Sequence, residues 1–93
     1  MPTTEQTDAI RKLASTLSGA ARSILTGREG LGIGNVRWVG ERIAAEGLTN
    51  VCTDAIVMIN AAIKAYGQGN DNRASGFAAS AAERMTAIAT ATA

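Results

Sequence analysis

Histidine is absent from this chain of 93 residues. With it goes the side chain that most often moves protons near neutral pH. One cysteine is present, Cys52. It cannot close an internal disulfide, which suits a reducing compartment. It stands among Ala55, Ile56 and Ile59 with no basic neighbour in the local sequence to lower its pKa, and it reads as a buried structural thiol. The carboxylates at Glu41, Glu46, Asp54, Asp71 and Glu83 are scattered, and no Glu-x-x-His pair exists for a helical di-metal site. We therefore expect no catalytic residue, no metal site, no cofactor and no enzyme.

An excess of one charge is also missing. Nine basic and eight acidic residues leave a net charge of +1, too little to draw nucleic acid or an anionic membrane to the surface. A helix-turn-helix centred on Gly47 fails by register. That motif wants a small residue four before the turn glycine and an apolar one six after, where this chain has Ile43 and Thr53. No apolar run reaches the ~18 residues of a membrane span, because Asp54, Asn60 and Lys64 divide the best candidate. The N-terminal MPTTEQTDAIRK is polar, carries Glu5 and Asp8, and resembles neither a secretory signal nor a transit peptide. The expectation is a cytoplasmic protein with no DNA or membrane partner.

Aromatics are limited to Trp38, Tyr66 and Phe77, whereas alanine occurs nineteen times. Small side chains bring little apolar area, and a chain this short buries only ~60–70% of its unfolded surface. A single domain over 1–93 then needs close helix approach or burial against other chains.

What is present is helical periodicity. The reading is all-α: a compact bundle of about four helices near 4–26, 35–46, 49–66 and 71–90, assembled as a homo-oligomer. Thr3 or Thr4 caps the first helix, with Ile10, Leu13, Ala14, Leu17, Ala20, Ala21, Ile24 and Leu25 as its apolar stripe. The second helix starts from Asn35 as cap and turns Val36, Val39, Ile43 and Ala44 inward. Gly47 ends it, and Leu48 closes that end through a hydrophobic contact. The run LTNVCTDAIVMINAAIKAY, 48–66, is apolar over most of its circumference and must be covered on several sides. Val51, Met58, Ala62, Ala65 and, from the last helix, Phe77 are the expected interface residues. The last helix is capped by Asp71 or Asn72, and its tail frays over 90–93. The tetrapeptide TDAI, at Thr7 to Ile10 and again at Thr53 to Ile56, reads as shared capping chemistry at two helix starts rather than a duplicated hairpin.

Residues 27–34, GREGLGIG, hold four glycines in eight positions and read as a loop. Backbone amides turned toward one point there, followed by a helix N-terminus, suit a phosphate or carboxylate. The candidate anion site is Arg28, Gly30, Gly32, Gly34, Asn35, Arg37 and Trp38, with Trp38 able to stack on a base and Lys64 and Tyr66 as second contributors. The competing reading makes the segment a plain connection: Leu31 and Ile33 tuck into the bundle, and Arg37 with Glu41 and Arg42 with Glu46 pair on the surface.

A short alanine-rich helical chain carrying Trp38-Val39-Gly40 resembles the small WXG-type secreted helical-hairpin proteins in those three residues and in overall length. Their motif sits in a turn between two long helices, whereas Gly40 falls within an expected helix. Their tail signal, a tyrosine followed after three residues by an acid, has no counterpart, so no function is taken from the resemblance.

The functional expectation is a small non-enzymatic binding or regulatory protein, of the kind bacteria and phages encode as interaction proteins or inhibitors, acting as a homo-oligomer on a protein target. The alternatives are a sponge for a nucleotide-like or other anionic small molecule, and a structural assembly subunit.

Overall fold

Thr3 opens the first helix with a reciprocal capping box. Its hydroxyl accepts the Gln6 N–H at 3.1 Å, and the Gln6 side-chain oxygen accepts the Thr3 N–H at 2.9 Å. The computed structural model describes residues 2–91, and among them the chain forms four helices and no strand: α1 Thr4–Leu25, α2 Glu29–Ala45, α3 Thr53–Gly67 and α4 Asp71–Ala91. Each helix packs on its neighbours in sequence, and α4 returns to close the ring against α1. The resulting bundle measures 37 × 19 × 17 Å.

The corners after α2 and α3 share one construction, while the corner after α1 keeps only the longer bond, from the Arg28 N–H to the Ser23 carbonyl at 3.0 Å around Gly27. At the end of α2, the Leu48 N–H reaches back to the Ile43 carbonyl at 2.9 Å and the Gly47 N–H to the Ala44 carbonyl at 3.2 Å. Gly47 has φ +69°, a left-handed geometry that lacks a steric penalty only without a Cβ, and Leu48 is buried against the closed end. The same pair of bonds ends α3 around Gly69, where φ is +76°. Asn70, not Asp71 or Asn72, caps α4: its side-chain oxygen accepts the Arg73 N–H at 3.1 Å.

Two boundaries differ from the sequence expectation. The segment 27–34 is not a loop, because α2 begins at Glu29 and only Thr26 to Arg28 connect it to α1. Asn35 therefore lies inside a helix, half-buried, and is not an N-cap. Helical glycine costs ~1 kcal/mol relative to alanine, but burial of Ile33 and Val36 and the contact made by Gly32 outweigh it here. A Cβ on Gly32 would stand 2.7 Å from Ile24 Cγ1 and 2.8 Å from the Ala20 carbonyl oxygen. That glycine lets the start of α2 lie directly on α1. The second difference is at α3, which starts at Thr53 rather than 49, since Thr49 to Cys52 are spent on the turn.

The core is built by Ile10, Leu13, Leu17 and Ile24 of α1, Val36, Val39 and Ile43 of α2, Ile59 of α3 and Met85 of α4, with alanines between. α1 and α4 make the most extensive contact. Their buried small residues recur every seven positions: Thr7, Ala14 and Ala21 on one helix, Ser75, Ala82 and Ala89 on the other. Ser75 fixes the register by donating its hydroxyl to the Ala21 carbonyl at 2.8 Å. The alanines of α4 are thus consumed inside the chain, at Ala74, Ala78, Ala81, Ala82 and Ala89.

For the same reason Ala62 and Ala65, expected at an interface, are fully covered by the chain's own helices. Val51, Met58 and Phe77 are partly buried against the core. Leu25 and Ala44, expected inward, are exposed. Thr90 and Ala91 remain helical, and the rest of the expected frayed tail lies outside the described residues.

Candidate functional site: the open side of the second helix

α2 and α3 make the least extensive contact between consecutive helices. The physical cause is the size of the side chains on α2 there. Gly40 and Ala44 offer almost nothing to fill the seam; even a Cβ on Gly40 would only reach ordinary contact with Ile59, 3.4 Å from its Cγ2. A groove of about 470 Å³ remains, lined by Gly40 and Ala44 of α2 and by Ile56, Ile59 and Ile63, which form its α3 wall. Arg37 and Glu41 stand on its α2 rim and Thr49 and Asn60 on the other. Ile56 and Ile63 are only half-buried, so the wall presents apolar surface to the outside.

The opposite edge of α2 is also incompletely covered. Trp38 is 47% exposed and leans over a cleft shared with Ala9, Lys12 and Leu13 of α1. Leu31, two turns before it on the same edge, is 57% exposed. Of the two residues expected to tuck into the bundle, Ile33 does so and Leu31 does not. Between the edges, Gly30 and Gly34 face open space, with no atom within 4 Å of an added Cβ. α2 is thus the helix with apolar surface on more sides than this chain covers.

The charges on α2 divide in a way the sequence does not reveal. Arg42 pairs with Glu46 at 3.5 Å. Arg37 and Glu41, at the same spacing, form no ion pair among the described residues. The other two pairs are Asp8 with Arg11 on α1 and Asp54 with Arg84, which ties α3 to α4.

The residues expected to share an anion site are distributed over several surfaces. Arg28 and Gly30 lie at the start of α2, Arg37 in the α2–α3 groove and Trp38 over the α1–α2 cleft. Lys64 lines a separate recess between α3 and α4 with Gln68, Arg73 and Phe77, and Tyr66 is half-buried against the core. Arg73 itself stacks over the Phe77 ring, 5.6 Å from its centre. The Gly32 N–H is already donated to the Arg28 carbonyl at 2.9 Å, and Gly32 is buried against α1. Only the first turn of α2 keeps unengaged amides.

Cys52 is buried in the turn before α3, and burial pushes its thiol above the ordinary value of 9.0. Among the described residues no buried side-chain polar atom lacks a hydrogen-bond partner, and no group of three or more His, Cys, Asp or Glu is gathered to hold a metal ion. No helix among them is long and apolar enough to cross a membrane.

Comparison with known proteins adds no relative: no family model, no curated protein and no solved structure matches the chain.

Proposed function

We propose that this chain is a non-enzymatic helical interaction protein of the cytoplasm, a small regulator or inhibitor of the bacterial or phage type, that acts as a homo-oligomer. The observation that carries the reading is the uncovered apolar surface of α2, where Leu31 and Trp38 stand more than 40% exposed beside two helical glycines that touch nothing. Apolar side chains gathered on one exposed face are the mark of a surface that meets another protein. Trp38 is the residue type most often found as an energetic anchor there. The α2–α3 groove, with Ile56 and Ile63 as its wall, has the form that accepts one apolar face of a target helix.

Sedimentation equilibrium over a concentration series tests the proposal. The expected result is a mass above that of one chain, falling to one chain for Leu31→Glu while the helical circular dichroism stays unchanged and the melting temperature drops only by the loss of association. A single-chain mass at every concentration overturns the oligomeric reading. The anionic-ligand reading has less support, because its proposed contributors lie on different surfaces. A thermal-shift series with mono- and cyclic nucleotides addresses it, since a ligand at a hundred times its dissociation constant stabilises by ~2.7 kcal/mol.

A further inference from the structure

At 3.6 residues per turn, three columns run along the outward side of α2. Leu31 and Trp38 form the edge toward α1, and Arg37 and Glu41 form the edge toward α3. Gly34 and Ala45, both exposed, lie between them. On the α3 edge a guanidinium and a carboxylate stand one turn apart, exposed, with no ion-pair partner among the described residues. An edge with one charge of each sign is complementary to itself when a second copy runs antiparallel across it.

A two-fold axis that reverses the helix direction keeps like edges together. The charged edge then meets the charged edge, and the Trp38 edge meets the Trp38 edge. Setting Arg37 opposite Glu41 of the second copy fixes everything else. Gly34 then falls opposite Ala44 and within one residue of Ala45 of the second copy, so small residues meet near the midline and the backbones approach closely. The two Trp38 rings fall within one turn of each other beside the axis, placed to stack.

Resting on the self-association proposed above, we infer that α2 pairs antiparallel with α2 of a second copy of this chain. Reciprocal Arg37–Glu41 ion pairs lie on one edge of the pair and the two Trp38 rings on the other. A helix of 17 residues is ~25 Å long. One such face on each partner is at the lower limit of specific interfaces, ~1,000 Å² in all, which makes the pair concentration-dependent.

Charge complementation tests the pairing. Arg37→Glu alone and Glu41→Arg alone each set two like-charged pairs across the axis, and each is expected to weaken association by about tenfold or more. An equimolar mixture of the two variants regains attraction at both positions, and its association should return to that of the unaltered chain. Register is tested by adding single cysteines at exposed positions. Under copper–phenanthroline oxidation, Gly34→Cys mixed with Ala45→Cys should give a disulfide-linked mixed dimer. Neither variant should link to itself, because along the pair Gly34 lies about ten residues from its own counterpart and Ala45 about twelve, ~15 and ~18 Å against the ~7 Å limit for a disulfide. If the unaltered chain self-associates but the charge variants fail to rescue each other and the mixed dimer does not form, this pairing is wrong while self-association stands. If the unaltered chain is a monomer at every concentration, both fall.

Discussion

Two glycines on α2, two residues apart, have opposite reasons for being glycine. Gly32 is pressed against α1, where an added Cβ meets the Ala20 carbonyl oxygen at 2.8 Å, a backbone atom that cannot rotate away. Gly34 faces open space. Alanine at Gly34 should therefore stabilise the chain by up to ~1 kcal/mol through helix propensity. Alanine at Gly32 should destabilise it by ~1–3 kcal/mol, because the clash exceeds that gain. Urea unfolding of both variants is the check, and equal midpoints would mean that α2 does not approach α1 as closely as described. Cys52 makes a second residue-scale test. Burial raises its thiol pKa, so the unfolded chain releases the proton at a lower pH than the folded one. The sign follows from linkage: the contribution is whole below the ordinary value of 9.0 and is lost as pH rises above it. Cys52→Ala should flatten that part of the alkaline decline in stability. In the unaltered chain, thiol reagents should label Cys52 only at the rate of opening, and rapid labelling under native conditions would contradict its burial.

At the scale of the helix, legibility followed locality. α1 is readable from sequence because its cap and its apolar stripe are local signals: the Thr3 cap and buried Ile10, Leu13, Leu17 and Ile24 are where periodicity puts them. The start of α2 is not, since the glycines at 30, 32 and 34 argue against a helix locally and the compensating contact lies on α1, at Ala20 and Ile24. The anion-site expectation rested on that loop, because it took the amides of 30–35 to be free of a helix, and α2 begins at Glu29. The alanines of α4 were ambiguous for a related reason: small residues fit close packing within a chain as well as between chains, and composition does not distinguish the two. The structure spends them on α1 and α3. Ala82→Leu, at a buried position of the α1–α4 seam, should cost ~1–3 kcal/mol by forcing the helices apart. Ala87→Leu, on the exposed side of the same helix, should fall within ~0.5 kcal/mol of the parent. Thermal melting of the pair separates them, and near-equal melting temperatures would mean that the seam tolerates a wider spacing than the Ser75–Ala21 hydrogen bond implies.

For the whole molecule, two of the exposed large apolar side chains, Leu31 and Trp38, belong to α2 and only one, Val57, to the central apolar run. α3 reads as too apolar for one chain to cover, yet Ala55, Ile59, Ala62 and Ala65 are buried by its neighbours, Ile56 and Ile63 are half-buried, and Val57 is 56% exposed. Leu31 and Trp38 lie on the outward edge of α2 beside α1, where no other helix among the described residues reaches, and remain uncovered once the bundle has closed. Trp38 is also the chain's only tryptophan, which makes its emission a direct report on that corner. A half-exposed indole emits at long wavelength, and excluding water shifts the emission to the blue. If α2 pairs with α2, the emission maximum should move to the blue as concentration rises, along the same curve as the sedimentation mass. Leu31→Glu should hold it at the long-wavelength position throughout, because a carboxylate on the same edge costs desolvation free energy when that edge is covered. A mass that rises with concentration while the emission stays constant would move the contact away from Trp38 and onto another face, such as one carrying the exposed Val57 of α3 or Leu25 of α1.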